Sequence, residues 1–185
     1  MVIQVEEANT DENSSIQLSQ SKMNELKIFK GDAIFIKGKK RKETLVVALV
    51  DNKLDEGKIR MNKTIRKNLR VRLGDIVQIK AAGDVPNLTK IHILPLEDTI
   101  EGISGDLTKT YLIPYFKDAY RPVKKGDLFA VRGNFKPVEF KVVATEPKEF
   151  GIVAPNTILY TEGEPINRED EEKLDDVGYD DIGGC

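Results

Sequence analysis

"KGDAIFIKG" (Lys30–Gly38) and, 43 residues further on, "LGDIVQIK" (Leu73–Lys80) are two versions of one phrase, and "KGDLFAVRG" (Lys125–Gly133) is a third. In each, a Gly-Asp pair precedes four or five residues rich in β-branched or aromatic types. Glycine permits the positive φ of a tight turn, and aspartate can bond backbone amides across it. The apolar run that follows reads as a strand entering a core. The spacing of the first two copies predicts a barrel built from two related halves.

Working outward, "SIQLS" (Ser15–Ser19), "TLVVALV" (Thr44–Val50), "KIHILPL" (Lys90–Leu96), "KTYLIPY" (Lys109–Tyr115), "VEFKVVAT" (Val138–Thr145) and "FGIVAPNTILYTE" (Phe150–Glu162) read as further strands. Helical pattern is scarce: "NKTIRKNL" (Asn62–Leu69) and a turn or two in "YFKDAY" (Tyr115–Tyr120) are the best candidates. Short strands with turn signals every eight to twelve residues predict a mainly β protein of two small domains, not an α/β nucleotide fold. We expect a flexible segment at 1–22, a first barrel at 23–85, a second at 86–163 and an acidic linker at 164–185.

The 185 residues are 39% apolar and 32% charged, enough to bury a core. Apolar runs such as Thr44–Val50 are too short to cross a bilayer, and the acidic, polar start does not read as a signal or transit peptide. Cys185 is the one cysteine, so disulfides and thiolate zinc sites are not expected. A net charge of −2 hides an asymmetry. Lys37–Arg72 holds thirteen Lys or Arg against four acids, and Glu162–Asp181 holds ten acids against two bases. This suits either a nucleic-acid surface or a module whose faces dock different partners.

Motifs for phosphate-binding loops, dinucleotide folds, zinc proteases and serine hydrolases are missing. The only histidine, His92, sits in a strand-like run and reads as structural. No catalytic or metal residues are expected, so the chain reads as a binding module. "KGKKRK" (Lys37–Lys42) reads as a hairpin tip or a phosphate-binding patch. A basic β-barrel that binds nucleic acid is the alternative reading, but aromatic rings for stacking are missing from Asn52–Lys90.

Five blocks carry a resemblance: "SQSKMNELKIFKGD" (Ser19–Asp32), "IRMNKTIRKNLRVRLGD" (Ile59–Asp75), "PYFKDAYRPVKKGD" (Pro114–Asp127), "EGEPINREDEE" (Glu162–Glu172) and "VGYDDIGGC" (Val177–Cys185). They resemble the N-terminal domain of the valosin-containing-protein family, the hexameric AAA unfoldases of the cell-division-cycle forty-eight type. The resemblance implies a double-psi β-barrel, a four-stranded β-barrel and a linker. It also implies that "DDIGG" (Asp180–Gly184) leads into the first ATPase ring, with the phosphate-binding loop further downstream. No cofactor is then expected in this chain, with ATP and magnesium bound by the rings of a full-length member.

The family's N domain recruits UBX-type adaptors, the ubiquitin-fusion-degradation and nuclear-localisation adaptor pair, and proteins bearing a short arginine helix. Through them it reaches ubiquitylated clients, including those of endoplasmic-reticulum-associated degradation. The implied locations are cytoplasm, nucleus and, through adaptors, the surface of the endoplasmic reticulum. Membrane insertion is not expected. The positions matching the adaptor cleft are Phe29, Val47, Leu49, Ala119, Tyr120 and Arg121, and those matching the boundary with the ring are Arg70, Arg72, Arg132 and Arg168. Pro86 and Asn87 depart from the lysine and tyrosine of the more familiar members, and Ser15 lies where an apolar residue is usual.

Overall fold

The computed structural model describes residues 2–171 apart from 9, 11, 118, 134 and 135. The first unit holds β1 (Val2–Glu7), β2 (Ser15–Leu18), α1 (Gln20–Leu26), β3 (Ala33–Lys37), β4 (Glu43–Val50), β5 (Lys58–Met61), α2 (Lys63–Leu69) and β6 (Ile76–Ala81). Its strands close into a barrel in the order β1-β5-β2-β4-β3-β6. The pairs β1·β5 and β2·β4 are parallel, and the remaining neighbours run antiparallel.

The expected repeat is present and longer than the phrase that announced it. Strand β2 leads to Ser19, whose hydroxyl caps α1 by accepting from the Lys22 N–H at 3.1 Å. Strand β5 leads to Asn62, which caps α2 through the Ile65 N–H at 3.0 Å. Each helix ends on a basic residue in the left-handed region, Lys27 (φ 59°) and Arg70 (φ 58°). Gly31-Asp32 and Gly74-Asp75 follow, then β3 and β6. Helix α1 was not among the expected helices, because its seven residues bury few apolar side chains besides Met23.

Strands β1 and β2 are part of this barrel, which corrects the expectation of a flexible segment at 1–22. Ile3 and Val5 of β1 and Ile16 and Leu18 of β2 are at most 2% exposed. Fully burying one such side chain is worth roughly 1.5–3 kcal/mol, so the barrel cannot close without them.

The second unit contains β7 (Lys90–Pro95), a helical stretch made of a π turn (Thr108–Leu112) and α3 (Ile113–Phe116), then β8 (Arg121–Lys124), β9 (Leu128–Val131), β10 (Val138–Glu146), β11 (Phe150–Val153) and β12 (Ile158–Tyr160). Four strands form a sheet in the order β12-β7-β10-β9, and β11 pairs with β8. "KTYLIPY" is therefore helical rather than extended. Tyr111, Leu112 and Phe116 are buried at helical spacing. Pro155-Asn156 splits the last expected strand into β11 and β12.

Residues 164–171, expected as linker, begin by docking on this unit: Ile166 exchanges backbone bonds with Pro95 and Glu97 at 2.8 Å each. The Gly-Gly-Cys ending lies outside the described residues.

The hairpin between β3 and β4 presses its root on α2. A Cβ placed on Gly38 would stand 2.2 Å from the Leu69 carbonyl oxygen, whereas one on Gly57 would meet nothing within 4 Å. Gly38→Ala is expected to lower unfolding stability by about 2 kcal/mol or more. Gly57→Ala is expected to stay within about 0.5 kcal/mol of the parent. Urea denaturation of the two variants checks both.

Candidate functional site: the cleft between the two units

Strand β4 has two faces. Val46 and Ala48 point into the barrel core, so Val47 and Leu49 must face the other way. On that outer side they meet Ser14, Ser15 and Gly31 from the first unit and Ala119, Tyr120 and Arg121 from the second, around a pocket of about 370 Å3. The floor is apolar and the rim carries one acid, Glu12. Tyr120 is 57% exposed and Phe29, two residues before Gly31, is 79% exposed.

Five of the six expected cleft residues thus share one pocket. Phe29 stands next to it rather than in its lining. Pro86 and Asn87 lie elsewhere, on the backbone path of β11, where Asn87 forms a bridge with Ile152. The sequence reading missed Glu12, because residues before β2 were taken as flexible.

Arg121 does not reach into the cleft as a spare cation. Its guanidinium pairs with the Glu12 carboxylate, donates to the Ser14 hydroxyl at 3.0 Å and to the Tyr115 carbonyl at 2.7 Å, and lies 3.7 Å from the Tyr115 ring centre. Tyr115 in turn stacks on Phe129, and Phe129 on Phe140, at 5.2 and 5.6 Å. This ladder runs from the cleft wall to the core of the second unit. Burial pushes the Tyr115 phenol above its ordinary pKa.

Beneath the cleft, side chains bond backbone across the joint. Asn68 on α2 accepts from the Leu128 N–H and donates to the Leu128 carbonyl, both at 2.8 Å. Asn13 donates to the Ala130 carbonyl at 2.8 Å and to the Tyr115 hydroxyl at 3.2 Å. Thr44 at the start of β4 bonds both carboxyl oxygens of Asp127, at 3.0 and 3.1 Å. Burial pushes the Asp127 carboxyl up to about 7, against the pull of its bonds from Lys124 N–H and Thr44.

The four candidate ring-contact arginines differ in their surroundings. Arg70 caps α2, and Arg72 is exposed in the turn that follows. Arg132 is exposed and lines a second pocket, of about 630 Å3, that shares Glu12 and Arg121 with the first. Arg168 is committed within the chain: it grips Asp98 through two bonds of 2.6 and 3.0 Å and reaches Glu139 at 2.8 Å. Hydrogen bonding from Arg168 holds the Asp98 carboxyl below its usual value.

The basic stretch is partly neutralised by ion pairs, Lys39–Asp75, Arg60–Asp51, Arg66–Glu7 and Lys67–Glu139. Residues Lys37–Lys42 do form the expected hairpin tip between β3 and β4. His92 bonds the Glu162 carbonyl at 2.6 Å, in a structural role. Among the described residues, no group of three or more His, Cys, Asp or Glu is placed to hold a metal ion, and no helix is long and apolar enough to cross a membrane.

A closed β-barrel with a second β unit packed beside it is the N-terminal architecture of one class of AAA ATPase. Residues 2–85 match the family model described as Cell division protein 48 (CDC48), N-terminal domain, and residues 102–168 match Cell division protein 48 (CDC48), domain 2. The chain belongs to this family and carries the N-terminal region of a CDC48-type AAA ATPase.

Because Arg121 is nearly enclosed, with 14% of its side chain exposed, its loss strands the Glu12 charge and a stacked face of Tyr115. Arg121→Met is expected to cost about 2 kcal/mol of stability. Arg121→Lys, which keeps the charge without the planar stack, is expected to recover part of that. Chemical denaturation at neutral pH measures both.

Proposed function

We propose that the cleft between the two units docks adaptor proteins that present an arginine beside an apolar residue, as in a UBX loop or a short arginine-bearing helix. The observation that supports this most is the combination at one groove of an apolar floor (Val47, Leu49), an exposed tyrosine (Tyr120) and a rim carboxylate (Glu12). An apolar anchor has the floor to bury against. A guanidinium has the Tyr120 ring to stack on and Glu12 to pair with. Arg121, already satisfied, holds Glu12 in place and closes the wall.

On this reading the module recruits ubiquitylated clients through its adaptors, including the ubiquitin-fusion-degradation and nuclear-localisation pair. The ATPase rings of a full-length member, loaded with ATP and magnesium, then unfold those clients. It would work in the cytoplasm and nucleus and at the endoplasmic-reticulum surface. Half-buried Arg70 and exposed Arg72 and Arg132 are proposed to face the ring. Arg168 joins that boundary indirectly, by fixing the path of residues 164–171 as they leave β12.

Tyr120→Ala removes the exposed ring and Val47→Asp puts a charge on the floor. Each is expected to weaken UBX binding by about 2 kcal/mol or more, roughly thirtyfold in Kd. Lys53→Ala, in an exposed turn of the first unit, serves as control. Titration calorimetry with an isolated UBX domain, with circular dichroism to verify folding, reads the outcome. Unchanged affinity in both folded cleft variants would remove the site from this groove. A second expectation is that the chain shows no saturable micromolar binding of ATP with magnesium by calorimetry, since no phosphate-cradling loop is in its sequence.

A further inference from the structure

The three Gly-Asp turns are superimposable in their bonding. In each, the aspartate carboxylate accepts from the amide three residues earlier: Asp32 from Phe29 at 2.9 Å, Asp75 from Arg72 at 2.7 Å and Asp127 from Lys124 at 3.0 Å. Their surroundings differ. Asp75 is bonded further by Lys39 at 3.0 Å in the open. Asp127 faces the other unit, lining a cavity of about 20 Å3 beneath the cleft, room for about one water.

Among the described residues, what Asp127 meets across the joint is neutral. The first unit presents Thr44, which is 3% exposed, together with Asn68 and Asn13. From its own unit the groups that face it are Lys124, on its own turn, and the Tyr115 phenol. A carboxylate enclosed this way loses hydration that hydroxyl and amide donors replace only in part. Separating β4 from β8 would return that hydration, so the joint prefers the protonated carboxyl and its opening prefers the charged one.

We propose that Asp127 and Thr44 form a proton-operated latch on the joint between the two units, held shut when the Asp127 carboxyl carries its proton and loosened when it does not. In the protonated state Oδ2 still accepts from Lys124, while Oδ1–H donates to the Thr44 hydroxyl. In the charged state the Thr44 hydroxyl donates instead, so the hydrogen bond survives and only the burial of charge changes. The latch concerns the joint itself and holds whether or not the cleft takes adaptors. The joint is the wall of that cleft, however: Thr44 lies three residues before Val47 on β4, and Arg121 opens β8.

The sign follows from linkage. A carboxyl that sits near 7 in the closed joint and near its ordinary value when hydrated makes closure progressively weaker as pH rises between those two values. The effect levels off above the higher value.

The Leu128 amide reports opening directly, because it is bonded across the joint to Asn68. Its hydrogen-exchange protection, corrected for the intrinsic rate, is expected to fall about tenfold between pH 6 and pH 8. The Ala48 amide, bonded within the first barrel to the Asp32 carbonyl, is expected to hold steady. In Asp127→Asn, which like the protonated acid can accept from Lys124 and donate to the Thr44 hydroxyl but carries no charge, the fall at Leu128 should vanish. NMR of the Asp127 side-chain carboxyl in the parent, which needs no variant to fold, should show titration near neutrality, and Thr44→Val should move it upward. A titration near the ordinary aspartate value overturns the latch. So does an equal fall at Leu128 and Ala48, or an Asn variant that behaves like the parent.

Discussion

The constraint on which both units depend is a clamp made by the Gly-Asp turn. Beyond its carboxylate bond, each turn grips a single residue of a neighbouring strand by both of its backbone groups. The Gly31 N–H donates to the Ala48 carbonyl and the Ala48 N–H donates to the Asp32 carbonyl, at 2.8 and 2.9 Å. Gly74-Asp75 holds Val5 in the same way at 2.9 and 2.8 Å, and Gly126-Asp127 holds Val142 at 2.8 and 2.9 Å. The turn needs a residue at φ 89–97°, which is why glycine precedes the aspartate each time. A strand held by both backbone groups of one residue resists slipping in register, so the clamp fixes which side chains face the core. In the first unit the two clamps hold β4 and β1, one on each half of the repeat.

The cleft is a consequence of joining two such units through a joint that combines polar bonds with apolar contacts. Each unit closes its own core, and apolar contacts also cross the joint: Leu45, 1% exposed on the outer face of β4, lies by Val123 and Phe129, and the Phe35 ring meets Phe150 at 5.1 Å. The polar part of the joint is built from Asn13, Asn68, Thr44 and Arg121, which bond across to the Ala130 and Leu128 backbone, the Asp127 carboxyl and the Ser14 hydroxyl. Such interfaces resemble those between transient partners and permit adjustment. The outer face of β4 is left partly uncovered as a result, and its alternation turns Val47 and Leu49 toward the groove. The Arg121–Tyr115–Phe129–Phe140 stack ties the groove's far wall to the second core. Changes at the wall are therefore felt in the packing of that unit.

Much of this was legible beforehand because it is local. The Gly-Asp phrase, the apolar run Thr44–Val50, the helical pattern of Asn62–Leu69 and the hairpin around Gly38 all act over a few residues. The failures were equally physical. "KTYLIPY" has the composition of a strand, yet Tyr111, Leu112 and Phe116 find their burial only as a helix against β9 and β10. "VIQV" (Val2–Val5) is too short beside its polar neighbours to announce a barrel strand, and it is held by β5 and β6, more than fifty residues away.

The sequence by itself determined the repeat, the turn chemistry, the mainly β class and the apolar face that Val47 and Leu49 share, since periodicity and turn preference act within one segment. Only the tertiary structure decided how the charges are spent. Glu12 meets Arg121 across 109 positions and Arg168 meets Asp98 across 70. Asp127 and Asp75 sit in identical turns, yet one carboxyl is pushed up and the other held down. The reason is that hydration and neighbouring charge belong to a place in space, and residues distant along the chain reach that place only when both units have folded.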